Sequence, residues 1–311
     1  MDHKCLVCGQ NTDTSAEYHP RCSTNFFGRF PPPAIEITLD GLREFAARSV
    51  LARITVTGVQ KKLSLGVETN GKNSRFTIVG LWGSYILKAP VEEYPEIPEN
   101  EDAVMRLAGL SGIPVVPHAL IRLASGELAY ISKRIDRADT QKTAMEDFCQ
   151  ISERLTEDKY RGSMERVGKL LRRYSVYPGL DAVDLFERTI FCFITGNSDM
   201  HLKNFSLIET ASGMRLSPAY DLVSTALVLP EDSEESALTI NGKKARFNRA
   251  DFEKLAESIE ITQVVQRKIF TKFQNLRKKM AGAVRESWLS EGMQERLAGI
   301  ITERIGLLGN G

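Results

Sequence analysis

No stretch of this 311-residue sequence stays apolar long enough to cross a bilayer as a helix. A membrane-spanning protein is therefore not expected. An excess of one charge is also missing: 41 basic and 40 acidic side chains leave a formal charge of +1. Bulk electrostatics gives no reason to expect a nucleic-acid partner. Cysteines number five, and the odd count suits a reducing compartment better than a disulfide framework. The opening residues Met1-Asp2-His3-Lys4-Cys5 lack the basic start and apolar stretch of a secretory leader. The expected location is the cytoplasm. Repeats and low-complexity tracts are absent too. What remains is a chain with 42% hydrophobic residues, enough for an ordinary core, and a length that suits one large enzyme or two lobes.

The chain divides by pattern. Residues 1–30 are short, polar and cysteine-bearing, and Pro31-Pro32-Pro33 forms a stiff, extended break after them. The apolar spacing of Leu42, Phe45, Ala46 and Ser49 predicts a helix over Leu39–Leu51. Alternation predicts strands at Arg53–Thr57, Lys62–Val67, Phe76–Val79 and Tyr85–Leu87, with a hairpin turn at Asn70-Gly71. A helix is expected over Pro98–Gly109, with Val104, Leu107 and Ala108 facing the core, then a hairpin of His118–Leu123 and Leu128–Ile131. After Asp136 the period becomes helical, at Thr143–Leu155, Ser163–Tyr174 and Ala182–Thr195. A short strand pair, Phe205–Ile208 and Met214–Leu216, interrupts it, and helices resume from Asn248 with Phe252, Leu255 and Ile259 on one stripe. Sheet first and helix second is the layout of a bilobal α+β kinase, although layout alone establishes no function.

Chemistry concentrates in Gly196-Asn197-Ser198-Asp199-Met200-His201-Leu202-Lys203-Asn204-Phe205-Ser206, which follows an apolar helix with Phe186, Ile190, Phe193 and Ile194 on its core face. Ser217-Pro218-Ala219-Tyr220-Asp221-Leu222 supplies a second acid after the strand pair. Phosphoryl transfer needs one carboxylate to orient the attacking hydroxyl. It also needs hard oxygen ligands for magnesium and a lysine for the α- and β-phosphates. Asp199 and Asn204 stand five apart, the spacing of base and metal-binding Asn in a kinase catalytic loop. The bland reading of any one of these residues is a polar cap that orders a loop.

These two segments closely resemble the catalytic core of the HipA-type toxin kinases. The likeness extends to Thr55-Val56-Thr57-Gly58-Val59-Gln60-Lys61-Lys62, Ile86-Leu87-Lys88, Pro98-Glu99-Asn100-Glu101, Ser132-Lys133-Arg134-Ile135-Asp136-Arg137, Met145-Glu146-Asp147-Phe148-Cys149-Gln150 and Lys159-Tyr160-Arg161-Gly162-Ser163, in the family's order. The resemblance implies a bilobal protein-kinase-like α+β fold, with a sheet-rich N-lobe over 31–135 and a helical C-lobe over 136–311. It implies Asp199 as catalytic base with His201 and Lys203 beside it as catalytic-loop residues. Asn204 and Asp221 would hold magnesium. Lys88, paired with Glu101, would meet the ATP phosphates, as would the loop of Gly58 and Gln60. Lys133 to Ile135 would hold adenine, and Asp136 the ribose. Glu99 is an alternative partner for Lys88.

The resemblance also implies autophosphorylation at Thr55 or Thr57, where relatives usually have serine. An added phosphate carries roughly −1.5 to −2 charge and would oppose the nucleotide phosphates. Because the loop begins by residue 55, the chain resembles HipT, the short toxin of three-gene systems. The implied substrate class is an aminoacyl-tRNA synthetase. Implied partners are a HipB-like helix-turn-helix antitoxin and a HipS-like small protein. A small-molecule kinase, or a non-catalytic ATP-binding regulatory module of a toxin–antitoxin complex, are the competing readings.

Cys5, Cys8, His19 and Cys22 form C-x2-C, ten residues, then H-x2-C. Two ligand pairs of this kind suit tetrahedral, structural zinc. The alternative is two packing cysteines and a surface histidine. Cys149 and Cys192 read as core, and the basic face of Arg166, Lys169, Arg172 and Arg173 reads as solvated surface.

Overall fold

The computed structural model describes residues 4–12, 16–44, 62–71, 73–79, 82–138 and 141–309. They form two compact units, Met1–Asp102 with Val116–Lys142, and Ala103–Val115 with Thr143–Gly311.

In the first unit, α1 (Pro20–Phe27) starts where the sequence favours it. His19 is extended at the N-cap, Pro20 brings a preset φ to the first turn, and Gly28 ends the helix at φ 77°. Strands β1 (Lys62–Asn70), β2 (Asn73–Ile78) and β3 (Tyr85–Lys88) precede helix α2 (Ile97–Leu110), which starts in this unit and whose residues from Ala103 onward belong to the second. Strands β4 (His118–Arg122) and β5 (Leu128–Lys133) follow it. These five strands make one antiparallel sheet in the order β2-β1-β3-β5-β4. The expected Asn70-Gly71 turn is there, with Gly71 at φ 60°. Expected helix and hairpin spans agree with α2, β4 and β5 to within two residues. Val104, Leu107 and Ala108 are all buried. A two-stranded ribbon, β6 (Arg137–Ala138) with β7 (Gln141–Lys142), was not anticipated.

The aromatic end of α1 packs onto this sheet. Phe26 and Phe27 meet Tyr85 with ring centroids 5.9 and 6.4 Å away, and Phe27 meets Phe76 at 6.0 Å. The same N-terminal stretch reaches both outer strands. Leu120 on β4 donates to the Leu6 carbonyl at 2.9 Å and accepts from the Tyr18 hydroxyl at 3.2 Å. On β2, Ala34 donates to Ser74 and accepts from Phe76, both at 2.8 Å. Residues 39–44 are helical, and Leu42 is buried. The rest of the expected Leu39–Leu51 helix, and the Arg53–Thr57 strand, lie outside the described residues.

The second unit is helical around a small sheet. Its elements are β8 (Met145–Asp147), α3 (Phe148–Ile151), α4 (Met164–Tyr174), α5 (Pro178–Thr195), β9 (Ser206–Thr210), β10 (Gly213–Leu216), α6 (Thr225–Val228), α7 (Arg249–Ser258), α8 (Gln263–Arg285) and α9 (Glu291–Leu307). The helix expected over Thr143–Leu155 is wrong for most of its length. Met145–Asp147 pairs with β9 instead, and the strand pair becomes a three-stranded sheet, β10-β9-β8. Asp147 then starts a short helix through a reciprocal capping box with Gln150. Local helical periodicity lost here to a strand partner some sixty positions along the chain.

Helix α5 is the centre of this unit. Phe186, Ile190, Phe193 and Ile194 are all buried, as are Cys149, Cys192, Phe252, Leu255 and Ile259. It stops at Gly196, whose φ is 71° and where an added Cβ would come within 2.8 Å of Ala226 Cβ. Glycine there serves both the left-handed turn and the close approach of α6. Among the described residues no helix is long and apolar enough to cross a membrane.

Candidate active site

In the first unit, β3 ends at Lys88 and α2 begins at Ile97, which brings a lysine and the first turns of a helix together. The Lys88 ammonium lies 2.5 and 2.7 Å from the two oxygens of Glu101, and the side chains are 5% and 2% exposed. The Tyr130 ring lies 5.4 Å from the same ammonium. A buried pair of this kind does little for net stability, but it fixes both charges in place. Glu99 is not the partner of Lys88 in this arrangement, and burial pushes its carboxyl up to about 7.

The segment after β5 is tied back to the sheet. The Lys133 and Arg134 N–H groups donate to the carbonyls of Pro117 and Ser84 at 2.8 and 2.9 Å. Asp136 takes both arms of Arg134, at 2.9 and 2.6 Å. Burial alone would raise the Asp136 carboxyl, but the guanidinium wins and holds it below the ordinary range. Thr55, Thr57, Gly58 and Gln60 lie outside the described residues.

In the second unit, the segment 196–205 is built around one carbonyl. Asp199 O accepts from His201 N at 2.9 Å and from Asn204 Nδ2 at 3.0 Å. Asn204 is 5% exposed, and this bond pins its amide nitrogen and so fixes the orientation of its amide oxygen. The Asp199 carboxylate accepts a 2.8 Å hydrogen bond from Tyr160. The Tyr160 ring stands edge-on to His201, with centroids 5.1 Å apart. Burial and the Asp199 charge push the Tyr160 phenol well up, so it stays a donor. Burial also pushes His201 down, against the opposing pull of Asp199, which favours the neutral imidazole.

Lys203, expected among the catalytic residues, reaches Asp147 at 2.7 Å, and Asp147 is the carboxylate that caps α3. The lysine therefore ties the loop to β8.

Asp221 sits at φ 61°, a left-handed backbone that non-glycine residues enter at a cost of about 1–2 kcal/mol. Strain of this kind persists where the surroundings over-determine it. Here Ala219 N donates to Pro114 O at 2.7 Å, and Tyr220 OH donates to Lys203 O at 2.9 Å. Arg188, fully buried in the middle of α5, donates to Ser217 O at 2.8 Å.

Oxygen donors on Asn204 and Asp221 are the hard ligands that magnesium takes. A pinned lysine in the first unit suits phosphates. The descriptive model of the HipA-like C-terminal domain matches residues 54–288. The chain belongs to this family.

Relatives of this HipA-like chain agree with that assignment. The Sinorhizobium fredii protein Y4mE, whose name marks it as an unproven kinase, is 35% identical over 208 residues, which are 64% of this chain and 48% of that one. The serine/threonine-protein kinase toxin HipA of Shewanella oneidensis is 30% identical over 203 residues, 59% of this chain and 45% of its own. The chain spans about half the length of the curated relatives it matches. In a solved complex of Shewanella HipA, HipB and operator DNA, one chain matches with a TM-score of 0.68 at 21% identity, over 83% of this chain and 70% of that one. The Helicobacter pylori kinase CtkA matches with a TM-score of 0.52 at 14% identity, over 79% and 95%. Both place the HipA-like chain in the α+β protein-kinase-like fold.

Three residues that the sequence did not single out shape this HipA-like site. Tyr160 stood inside a recognised block without a role. Arg188 was legible as the one basic residue of α5, beside the acids Asp181, Asp184 and Glu187. Asp147 also stood in such a block, and its role was hidden because its partner Lys203 is far away in sequence.

Apart from these, the side chains of Cys5, Cys8, His19 and Cys22 converge in the first unit. Their ligand atoms all lie within 4.8 Å of one another.

Proposed function

We propose that this chain is an ATP- and magnesium-dependent kinase that phosphorylates a serine or threonine hydroxyl of another protein. The observation that carries the reading is the loop in which Asn204 Nδ2 is fixed on the Asp199 carbonyl. It presents a carboxylate, oriented by Tyr160, and an amide oxygen five residues apart, with Asp221 held in a strained turn beyond them.

In this reading residues 31–135 act as the nucleotide lobe and 136–311 as the catalytic lobe. Lys88, steadied by Glu101, would hold the α- and β-phosphates, together with the loop of Gly58 and Gln60. Adenine would lie on the backbone from Lys133 to Ile135. The N–H groups of Lys133 and Arg134 are engaged by the sheet, so the Ile135 N–H is the natural donor. Asp136 would reach the ribose only after yielding part of its bond to Arg134. Asn204 and Asp221 would bind magnesium, whose charge neutralises what develops on the transferred phosphoryl group. Asp199 would orient the substrate hydroxyl and accept its proton, with neutral His201 packed behind as an orienting group. Lys203 would position the loop through Asp147 rather than touch the phosphates.

We further propose that the substrate is an aminoacyl-tRNA synthetase, and that Thr55 or Thr57 is autophosphorylated in the nucleotide loop. A HipB-like antitoxin and a HipS-like small protein would be partners, as for a short HipT-type toxin. The Shewanella relative's complex with HipB supports the antitoxin. The cytoplasm is the compartment this reading requires.

The test is intact mass and peptide mapping after incubation with ATP and magnesium, with wild type and Asp199→Ala side by side. Phosphate gained on Thr55 or Thr57, or on an added synthetase, in the wild type alone supports the proposal. Equal gain in both proteins removes Asp199 from its role. Transfer to a small molecule but to no protein would favour the small-molecule kinase.

A further inference from the structure

We propose that Cys5, Cys8, His19 and Cys22 bind one zinc ion, and that this ion anchors the N-terminal residues that hold both outer strands of the five-stranded sheet. The inference is independent of the kinase reading.

The side chains are disposed as a ligand set. His19 Nδ1 lies 3.4 Å from Cys8 Sγ and 3.8 Å from Cys22 Sγ. With Zn–S of about 2.3 Å and Zn–N of about 2.0–2.1 Å, a tetrahedron has edges of about 3.5–3.8 Å. The fold also prepares each ligand. Cys5 N donates to Gln10 O and Gly9 N to Cys5 O, both at 2.8 Å, with Gly9 at φ 74°. These bonds close the tight turn that brings Cys8 back beside Cys5. His19 caps α1 and Cys22 lies in its first turn, so the two share one helix face. His19 N points at Cys5 Sγ at 3.4 Å.

The histidine supplies the second, independent observation. Its Nε2 is 3.0 Å from Asn11 O. A proton on Nε2 satisfies that carbonyl and leaves the Nδ1 lone pair aimed at the sulfurs. Zinc-bound histidines are commonly oriented by just such a bond on the far nitrogen. Surface histidines and packing cysteines have no need of it.

The need for an anchor is equally concrete. Leu6, Tyr18, Phe26 and Phe27 are the large apolar side chains of this stretch that are buried. Ordering two dozen residues around so small an apolar cluster costs chain entropy that a bound metal would offset. Yet Leu6 and Tyr18 must meet Leu120, and Phe26 and Phe27 must meet Tyr85. On binding, the three thiols release their protons to solvent and form Zn–S bonds while His19 Nδ1 donates its lone pair, and that binding free energy becomes folding free energy.

The test uses the full chain, expressed with zinc in the medium and purified under reducing conditions. Expected is one zinc per chain, with tetrahedral cobalt–thiolate absorption bands after exchange with cobalt. His19→Cys should keep one metal and strengthen the thiolate–cobalt bands, because a fourth sulfur replaces nitrogen. Cys8→Ser and Cys22→Ser should each hold less than half an equivalent. Chelation of zinc from the wild type should speed amide exchange at Leu120 at least ten-fold while leaving α9 unchanged. A folded wild type without zinc that also fails to take up cobalt would overturn the site. Full zinc in both serine variants would do the same. Zinc bound with no change at Leu120 on chelation would overturn the anchoring role.

Discussion

The Tyr160 hydroxyl donates to one oxygen of the Asp199 carboxylate at 2.8 Å, and both residues keep some exposure to solvent. One carboxylate oxygen is thereby oriented, and on the proposed kinase reading the other would receive the substrate hydroxyl. Hydrogen bonds to charged groups contribute about 1.5–3 kcal/mol when enclosed, and less where water competes. Tyr160→Phe should lower kcat about ten-fold with little change in KM for ATP, in steady-state kinetics on a protein substrate. A faster variant would instead make Tyr160 a plug over the base.

The Lys88–Glu101 pair predicts a stability signature as well as an activity loss. Lys88→Met leaves the Glu101 carboxylate buried without its cation, at a cost of about 3–5 kcal/mol. Replacing both residues, as Lys88→Met with Glu101→Leu, should restore most of that stability without restoring ATP binding. Thermal unfolding and nucleotide titration on the three proteins separate the two effects. If the double variant is as unstable as the single one, the carboxylate is not what the lysine supports.

Asp221 is expected to trade stability for function. Glycine relieves the left-handed strain of about 1–2 kcal/mol. Asp221→Gly should therefore raise the melting temperature by about 2–4 °C per kcal/mol relieved, while phosphoryl transfer disappears. A lower melting temperature would show that the carboxylate supports the fold.

Glu99 sets a pH dependence. Its carboxyl rises from 4.5 to about 7 on folding because burial disfavours the charge. The folded state then binds the proton more tightly, so the stability Glu99 gives is complete below pH 4.5 and is lost as pH rises through 7. Glu99→Gln should consequently stabilise the protein more at pH 8 than at pH 5, as read by chemical denaturation at the two pH values. An equal effect at both would place the carboxyl in solvent.

Much of this architecture was legible because strong periodicity and local punctuation agreed. Val104, Leu107 and Ala108 fixed the face of α2, and Asn70-Gly71 fixed the β1–β2 hairpin. Polar residues crowded behind an apolar helix marked the segment from Asp199 to Asn204. Other features depend on partners distant in sequence. Met145–Asp147 has the spacing of a helix and becomes a strand because β9 offers it a ladder. The choice of Glu101 over Glu99 turns on which side of α2 faces β3, and one helix turn of sequence leaves that open. Arg134 claims Asp136 through a side chain that carries no spacing signal at all.

The N-terminal residues have a consequence for solubility. A five-stranded open sheet presents unpaired backbone donors and acceptors along β2 and β4, and such rows template pairing with other chains. Ala34 occupies part of one row and Leu6 with Tyr18 part of the other. Without the first 35 residues the protein would keep its kinase-like sheet but bare both of its margins, and copies could then associate strand to strand. Covering those margins would make the short polar segment a guard against self-association.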